Sequence, residues 1–199
     1  RVQVEETLTR LREDNVENVL ALRGDINPDL PRRMDFLHAS DLAKAIAQTG
    51  GFGVAGACYP EGHVESPSLK ADVESLRYKA EAGVSHLITQ LFFDNVSYYR
   101  FLNMARKAGI SLPVQAGIMP IVSKRQIERT VALSSASLPP QFTKMISRYD
   151  HDEGIEYAVT QIRDLITGGA DGIHLYAMNN ARVARLVYEG IRDLLPERT

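Results

Sequence analysis

Apolar positions along this chain alternate between helix-like and strand-like spacing. Residues 1–14 set Val2, Leu8 and Leu11 among charged side chains, which predicts a helix with one apolar face. The next apolar run, residues 16–22, has strand length and ends at Arg23-Gly24-Asp25. A loop rich in Asn, Pro and Arg follows, then a helix that starts near Ser40-Asp41 and ends at Gly50 and Gly51. The unit then recurs. Strands are expected at 52–57, 84–91, 112–118 and 172–176, and helices at 69–81, 95–107, 123–133, 152–167 and 181–194. Pro139 and Pro140 break the chain before another short helix at 141–149. Gly83, Gly109 and the Gly168-Gly169 pair mark helix ends.

Strands apolar on both faces, alternating with helices, predict an α/β fold whose parallel sheet is covered by helices. Such a repeat suits a doubly wound sheet or a barrel. No early Gly-x-Gly-x-x-Gly follows a strand, which weakens the dinucleotide-fold reading.

Composition narrows the class. The 199 residues suit one domain, and 44% apolar with 24% charged residues is ordinary for a soluble globular protein. A formal net charge of -2 gives no strong field for nucleic acid or an anionic membrane. No stretch approaches the ~20 apolar residues that span a bilayer. The charged, amphipathic start lacks a signal-peptide apolar region. The single Cys58 excludes an internal disulfide framework and points to a reducing compartment, so a cytoplasmic location is expected.

Candidate chemistry sits at strand ends: Arg23-Gly24-Asp25, Tyr59-Pro60-Glu61, Thr89-Gln90, Gly117-Ile118-Met119-Pro120 and His174-Leu175-Tyr176. In a TIM barrel these ends build the active site. Gly24 could let backbone approach a ligand and Asp25 could place negative charge beside it; a turn with a surface ion pair is the plain alternative. As an adhesion tripeptide the same letters are a match common by chance. Tyr59, Glu61, His63 and Glu65 share one polar loop, which could line a cofactor pocket or be solvated; their loose spacing makes a metal site a weak reading. Asp72 and Lys79, seven apart, can share a helix face, either for a ligand or for solvent. Gln90 ends an apolar strand, where its amide needs a structural or a ligand partner. Gln126 sits near a helix start. Tyr98 and Tyr99 suit helix packing, and Cys58 suits a small buried hydrophobe.

The ordered set of local sequences resembles the methylenetetrahydrofolate reductase family. It comprises Ala21-Leu22-Arg23-Gly24-Asp25, His38-Ala39-Ser40-Asp41, Tyr59-Pro60-Glu61-Gly62-His63, Lys70-Ala71-Asp72, the Lys79 to Gly83 segment and Ile88-Thr89-Gln90-Leu91-Phe92-Phe93-Asp94. Gly117-Ile118-Met119-Pro120-Ile121 and His174-Leu175-Tyr176-Ala177-Met178-Asn179 complete it. The resemblance implies a TIM-type (β/α)8 barrel, of which this chain supplies roughly the last five strands as a partial catalytic domain over 1–199. It implies an FAD-dependent oxidoreductase that reduces 5,10-methylenetetrahydrofolate to 5-methyltetrahydrofolate for methionine synthesis. NADH or NADPH is the expected donor, and a homo-oligomer or an electron-donor protein is an expected partner. Arg23, Gly24, Asp25, His38, Ala39, Tyr59, His63, Asp72, Ser75 and Lys79 match FAD-contacting positions. Asp25, beside the flavin N1 and C2 carbonyl, is the implied catalytic residue. Gln90, Gln126 and Tyr176 match substrate-side positions. No metal is implied.

The match has departures. Asn180 stands where members often carry a substrate-contacting Arg, with Arg182 close by, and His38 stands where Tyr is common. The resemblance also places the family's proton-donating Glu, at the end of its first strand, before Arg1. The isolated segment is therefore expected to lack both barrel closure and that acid. A non-flavin pterin-binding barrel transferase and an inactive binding fragment are the competing readings.

Overall fold

The computed structural model describes residues 2–24, 29, 35–123, 126–127, 136–139 and 151–196. Five strands form one parallel sheet: β1 (Asn18–Ala21), β2 (Gly53–Cys58), β3 (His86–Thr89), β4 (Val114–Ile118) and β5 (Gly172–Leu175). Six helices accompany them: α1 (Val2–Glu13), α2 (Ala39–Thr49), α3 (Leu69–Glu81), α4 (Asn95–Lys107), α5 (His151–Thr167) and α6 (Ala181–Ile191). The strands lie in the order β1-β2-β3-β4-β5, each parallel to the next. A doubly wound sheet would reverse its order at a switch point, whereas barrel strands keep chain order. The sheet has the barrel's order, and among the described residues β1 and β5 are its two edges.

Register separates the two faces. Val19 and Ala21, Val54 and Cys58, Leu87, then Val114, Ala116 and Ile118 join Ile173 and Leu175 in the core shared with the helices. The alternate positions Leu20, Ala57, Ile88 and, just beyond the strands, Leu22, Tyr59, Gln90 and Tyr176 line a cleft on the other face. A one-residue slip would exchange these sets, so the buried face pins the register.

Local sequence sets the helix ends. Ser68 caps α3 by accepting from the Ala71 N–H at 3.1 Å, and Asp94 caps α4 by accepting from the Val96 N–H at 2.9 Å. Gly83 and Gly109, at φ +93° and +81°, turn the chain out of those helices in a conformation that suits glycine. Buried Tyr98 packs on α4 and donates its hydroxyl to the Val114 carbonyl at 3.0 Å, while burial pushes its phenol up to about 12. Tyr99 donates to the Asp164 carbonyl, also a packing role. Cys58 is fully buried, and burial pushes its thiol well above the usual range, so it stays protonated and inert.

Several elements are shorter than their apolar runs. The 16–22 run yields β1 from Asn18 to Ala21, with Leu20 and Leu22 exposed at 43% and 49%. The 84–91 run narrows to β3 because Val84 closes the α3 C-terminus through Lys79 O, and Ser85 bonds Val54 O. The 112–118 run narrows to β4 because the Leu112 carbonyl accepts from Arg106. The last helix ends at Ile191 and tightens into a 3-10 turn, Arg192–Leu194. Nor are the strands apolar on both faces throughout: every residue of β5 is partly exposed. The helix expected at 141–149 lies outside the described residues, as does most of the one expected at 123–133.

Candidate active-site cleft

The cleft over the C-terminal ends of β1, β2, β3 and β5 has a volume of about 1000 Å³. Its floor is apolar, with Leu20, Leu22, Ala57 and Ile88. Its walls come from the loops after β1 and β2 and from α2 and α3, including Ser40, Asp41, Lys44, Tyr78 and Glu81. Every candidate residue named from the sequence lines it except Asp25 and Gln126. Asp25 lies outside the described residues.

Arg23 and Gly24 follow β1 directly. Gly24 has φ +80°, and no atom stands within 4 Å of where a Cβ would be, so backbone is open to close approach. Arg23 forms a two-pronged ion pair with Glu65 of the β2–α3 loop, at 2.9 Å and 2.8 Å. The surface pair anticipated within Arg23-Gly24-Asp25 is thus made between loops. The sequence carried no signal for it, because the contact spans 42 positions.

His38 and Ala39 begin α2, and the Asp41 carboxylate accepts from the His38 N–H at 2.9 Å, fixing that corner. In the β2–α3 loop the Tyr59 and His63 rings meet edge to face at 4.6 Å. His63 Nδ1 accepts from the Glu65 N–H at 3.1 Å, which leaves any proton of the neutral ring on Nε2. Asp72 is buried, and its carboxylate gathers this loop by accepting from the His63 N–H at 3.2 Å and the Ser66 hydroxyl at 2.9 Å. Ser75 donates back to Asp72 O. Lys79 donates to the Ala57 carbonyl at the end of β2, and burial pushes its ammonium below the usual lysine range despite nearby Cys58 and Asp72. Asp72 and Lys79 therefore share a face turned to the cleft rather than to solvent.

Gln90 is held as a directed donor. Its N–H donates to Cys58 O at 2.7 Å, and its Oε1 accepts from the Leu91 N–H at 3.0 Å. That leaves Nε2 as the amide end that can meet a ligand in the cleft. Tyr176 reaches from the end of β5 across β4 to β3, where its hydroxyl donates to Thr89 O at 2.9 Å. Gly117 makes this crossing feasible: a Cβ there would stand 2.8 Å from the Tyr176 ring and 2.3 Å from Thr89 O. The Gly117 N–H donates to Thr89 Oγ1 at 2.8 Å, completing a brace over three strands. Burial raises the Tyr176 phenol, reinforced by Cys58 and Tyr59, and lowers neighbouring His174, so both rings favour their neutral forms.

Gln126 stands apart. Its Oε1 accepts from the Val122 N–H at 3.0 Å and its Nε2 donates to Pro120 O at 3.1 Å, so its amide braces its own loop. That loop joins a second apolar cluster of Leu91, Phe93, Ile121 and Ile127, against which Tyr176 packs. Glu61 bonds the Ser137 backbone and hydroxyl, tying the β2 loop to a distant segment. Among the described residues no group of three or more His, Cys, Asp or Glu side chains is placed to hold a metal. No described helix is long and apolar enough to cross a membrane.

Fold and cleft together define an α/β protein with a parallel sheet and a ligand site at its strand ends. Residues 1–192 match the family model described as methylenetetrahydrofolate reductase, and the chain belongs to that family. It is 30% identical over 190 residues to the 5,10-methylenetetrahydrofolate reductase of Pectobacterium carotovorum subsp. carotovorum, covering 92% of this chain and 63% of that protein. It is 30% identical to the Escherichia coli K12 protein of the same name, covering 86% and 59%. A probable methylenetetrahydrofolate reductase (NADPH) of Caenorhabditis elegans is 34% identical, covering 88% and 28%. The chain thus spans less than two thirds of the length of these relatives. A solved Clostridium thermocellum protein, which binds two copies of 5-methyl-5,6,7,8-tetrahydrofolic acid, shares the fold with a TM-score of 0.62 at 14% identity; the match covers 93% of this chain and 77% of that one.

Proposed function

We propose that this chain carries the flavin- and folate-binding part of an enzyme that reduces 5,10-methylenetetrahydrofolate to 5-methyltetrahydrofolate, with NADH or NADPH as electron source. The sheet is read as an arc of a (β/α)8 barrel, on the strength of its sequential strand order. The observation that carries the functional reading is the convergence in one cleft of residues from four strand ends, with a polar rim over an apolar floor.

The cleft suits FAD. Its volume of about 1000 Å³ is large for a drug-sized ligand, and its apolar floor suits the face of a flat ring. Gly24 offers exposed backbone, and Arg23 offers a guanidinium whose fork matches phosphate. Arg23, Gly24, His38, Ala39, Tyr59, His63, Asp72, Ser75 and Lys79 would hold the cofactor. Some act directly and others, such as Asp72, by shaping the loop. Bound FAD would supply reversible hydride transfer between a nicotinamide and the folate methylene carbon.

The chain's own residues would orient the partners. The Gln90 amide would donate to the pterin, while its Oε1 stays on the Leu91 N–H. The Tyr176 ring would form a wall on the folate side, its hydroxyl remaining on Thr89 O. Asp25 would set negative charge near the flavin N1 edge. Glu61, engaged by Ser137, takes no proton-donor role here.

Full-length protein is expected to release one equivalent of noncovalent FAD on denaturation after reconstitution, identified by chromatography. Recovery of FMN, or of no flavin, would contradict the reading.

A further inference from the structure

The cleft has an unfavourable charge balance for the cofactor proposed above. Among the described residues its lining carries three basic side chains, Arg23, Lys44 and Lys79, against four carboxylates. A dinucleotide adds the negative charges of its pyrophosphate. Lys79 is bonded to the Ala57 carbonyl. Arg23 presents Nη1 and Nη2 to the two oxygens of Glu65, which is the fork geometry a phosphate would also use. A phosphate therefore meets Arg23 as half of a neutral pair.

The two cleft carboxylates in this loop network are held differently. Asp72 is buried and tied to His63 and Ser66. The Glu65 side chain is 46% exposed, against 21% for Arg23. Its backbone is anchored separately, because the Glu65 N–H donates to His63 Nδ1. The carboxylate can thus swing into water while its loop stays in place.

We infer that Glu65 is a displaceable counter-ion for Arg23: it positions the guanidinium at the cleft mouth and yields it to a phosphate group of the incoming dinucleotide. The inference rests on the flavin reading. It makes Glu65 a positioning residue that sets affinity for phosphate-bearing flavins through Arg23. A purely structural ion pair would have the opposite sign, since its loss would loosen the site.

The test measures dissociation constants for FAD and for riboflavin, which lacks phosphate, by flavin fluorescence quenching on full-length protein. Wild type is compared with Glu65→Gln, and with Glu65→Ala in case the Gln amide retains one bond to Arg23. Both variants should bind FAD roughly 3- to 10-fold more tightly, the scale of an exposed ion pair, with riboflavin affinity unchanged. Their FAD binding should also weaken more steeply with added salt, because Arg23 then meets phosphate without a competing carboxylate. Unchanged or weaker FAD binding in both variants, with wild-type binding intact, overturns the inference alone. Wild-type protein that binds no FAD overturns the flavin reading and this inference with it.

Discussion

Replacing Gln90 with Glu is expected to slow folate-dependent reoxidation of the reduced flavin by about 10²-fold, the scale of losing one buried donor and adding an unpaired charge. Flavin reduction by the nicotinamide should be nearly unchanged. The reason is the fixed direction of the amide. Gln90 Oε1 accepts from the Leu91 N–H, and a Glu oxygen can keep that bond. The other end of the group changes from a donor to a negatively charged acceptor, with little change in size. A pterin acceptor that met the amide N–H would then meet repulsion. Because strand β3 is held on both sides, by β2 and β4, the group has little room to turn away. Separate anaerobic measurements of the two half-reactions decide the matter. Equal losses in both would remove Gln90 from the folate side.

Gly117→Ala is expected to destabilise the protein by about 3 kcal/mol, a strong case of overpacking combined with the loss of a hydrogen bond. Its Cβ would stand 2.3 Å from Thr89 O, which is backbone of a central strand, and 2.8 Å from the Tyr176 ring. Neither neighbour can yield cheaply: the ring is pinned by its hydroxyl on Thr89 O and the strand by its ladder. In a chain of this size the midpoint of thermal unfolding should fall by roughly 6–12 °C. Tyr176→Phe is the control, since it deletes the hydroxyl bond without adding an atom and should cost about 1 kcal/mol. A midpoint for Gly117→Ala close to that of the wild type would show that the brace is softer than drawn.

The parts legible in the sequence were those governed by local rules. Helices 69–81 and 95–107 carry their own signals, with Ser68 and Asp94 before them and Gly83 and Gly109 after. The order of strands and helices followed from alternating periods, and a parallel sheet followed from that order. Strand ends were less legible, because apolar residues continue into helix caps and loops, as at Val84 and Leu112. The clustering of Arg23, Tyr59, His63, Asp72, Lys79 and Gln90 was anticipated from family resemblance and strand-end positions rather than from local pattern. What no local pattern could give were contacts across long separations. Glu65 on Arg23, Tyr176 on Thr89 and Glu61 on Ser137 join positions 42, 87 and 76 apart. Gln126 shows the converse limit. A motif position matched a substrate-side residue, while the amide is engaged by Val122 and Pro120 of its own loop.

The central claim is that a flavin bound in this cleft reduces methylenetetrahydrofolate. Full-length protein reconstituted with FAD can be reduced anaerobically with NADH or NADPH, freed of nicotinamide, and mixed with 5,10-methylenetetrahydrofolate. The account predicts that the bleached flavin absorbance returns in a single turnover, with 5-methyltetrahydrofolate formed in equal amount to the flavin reoxidised. A flavin that stays reduced in the presence of folate would contradict it, as would folate turnover by protein that carries no flavin.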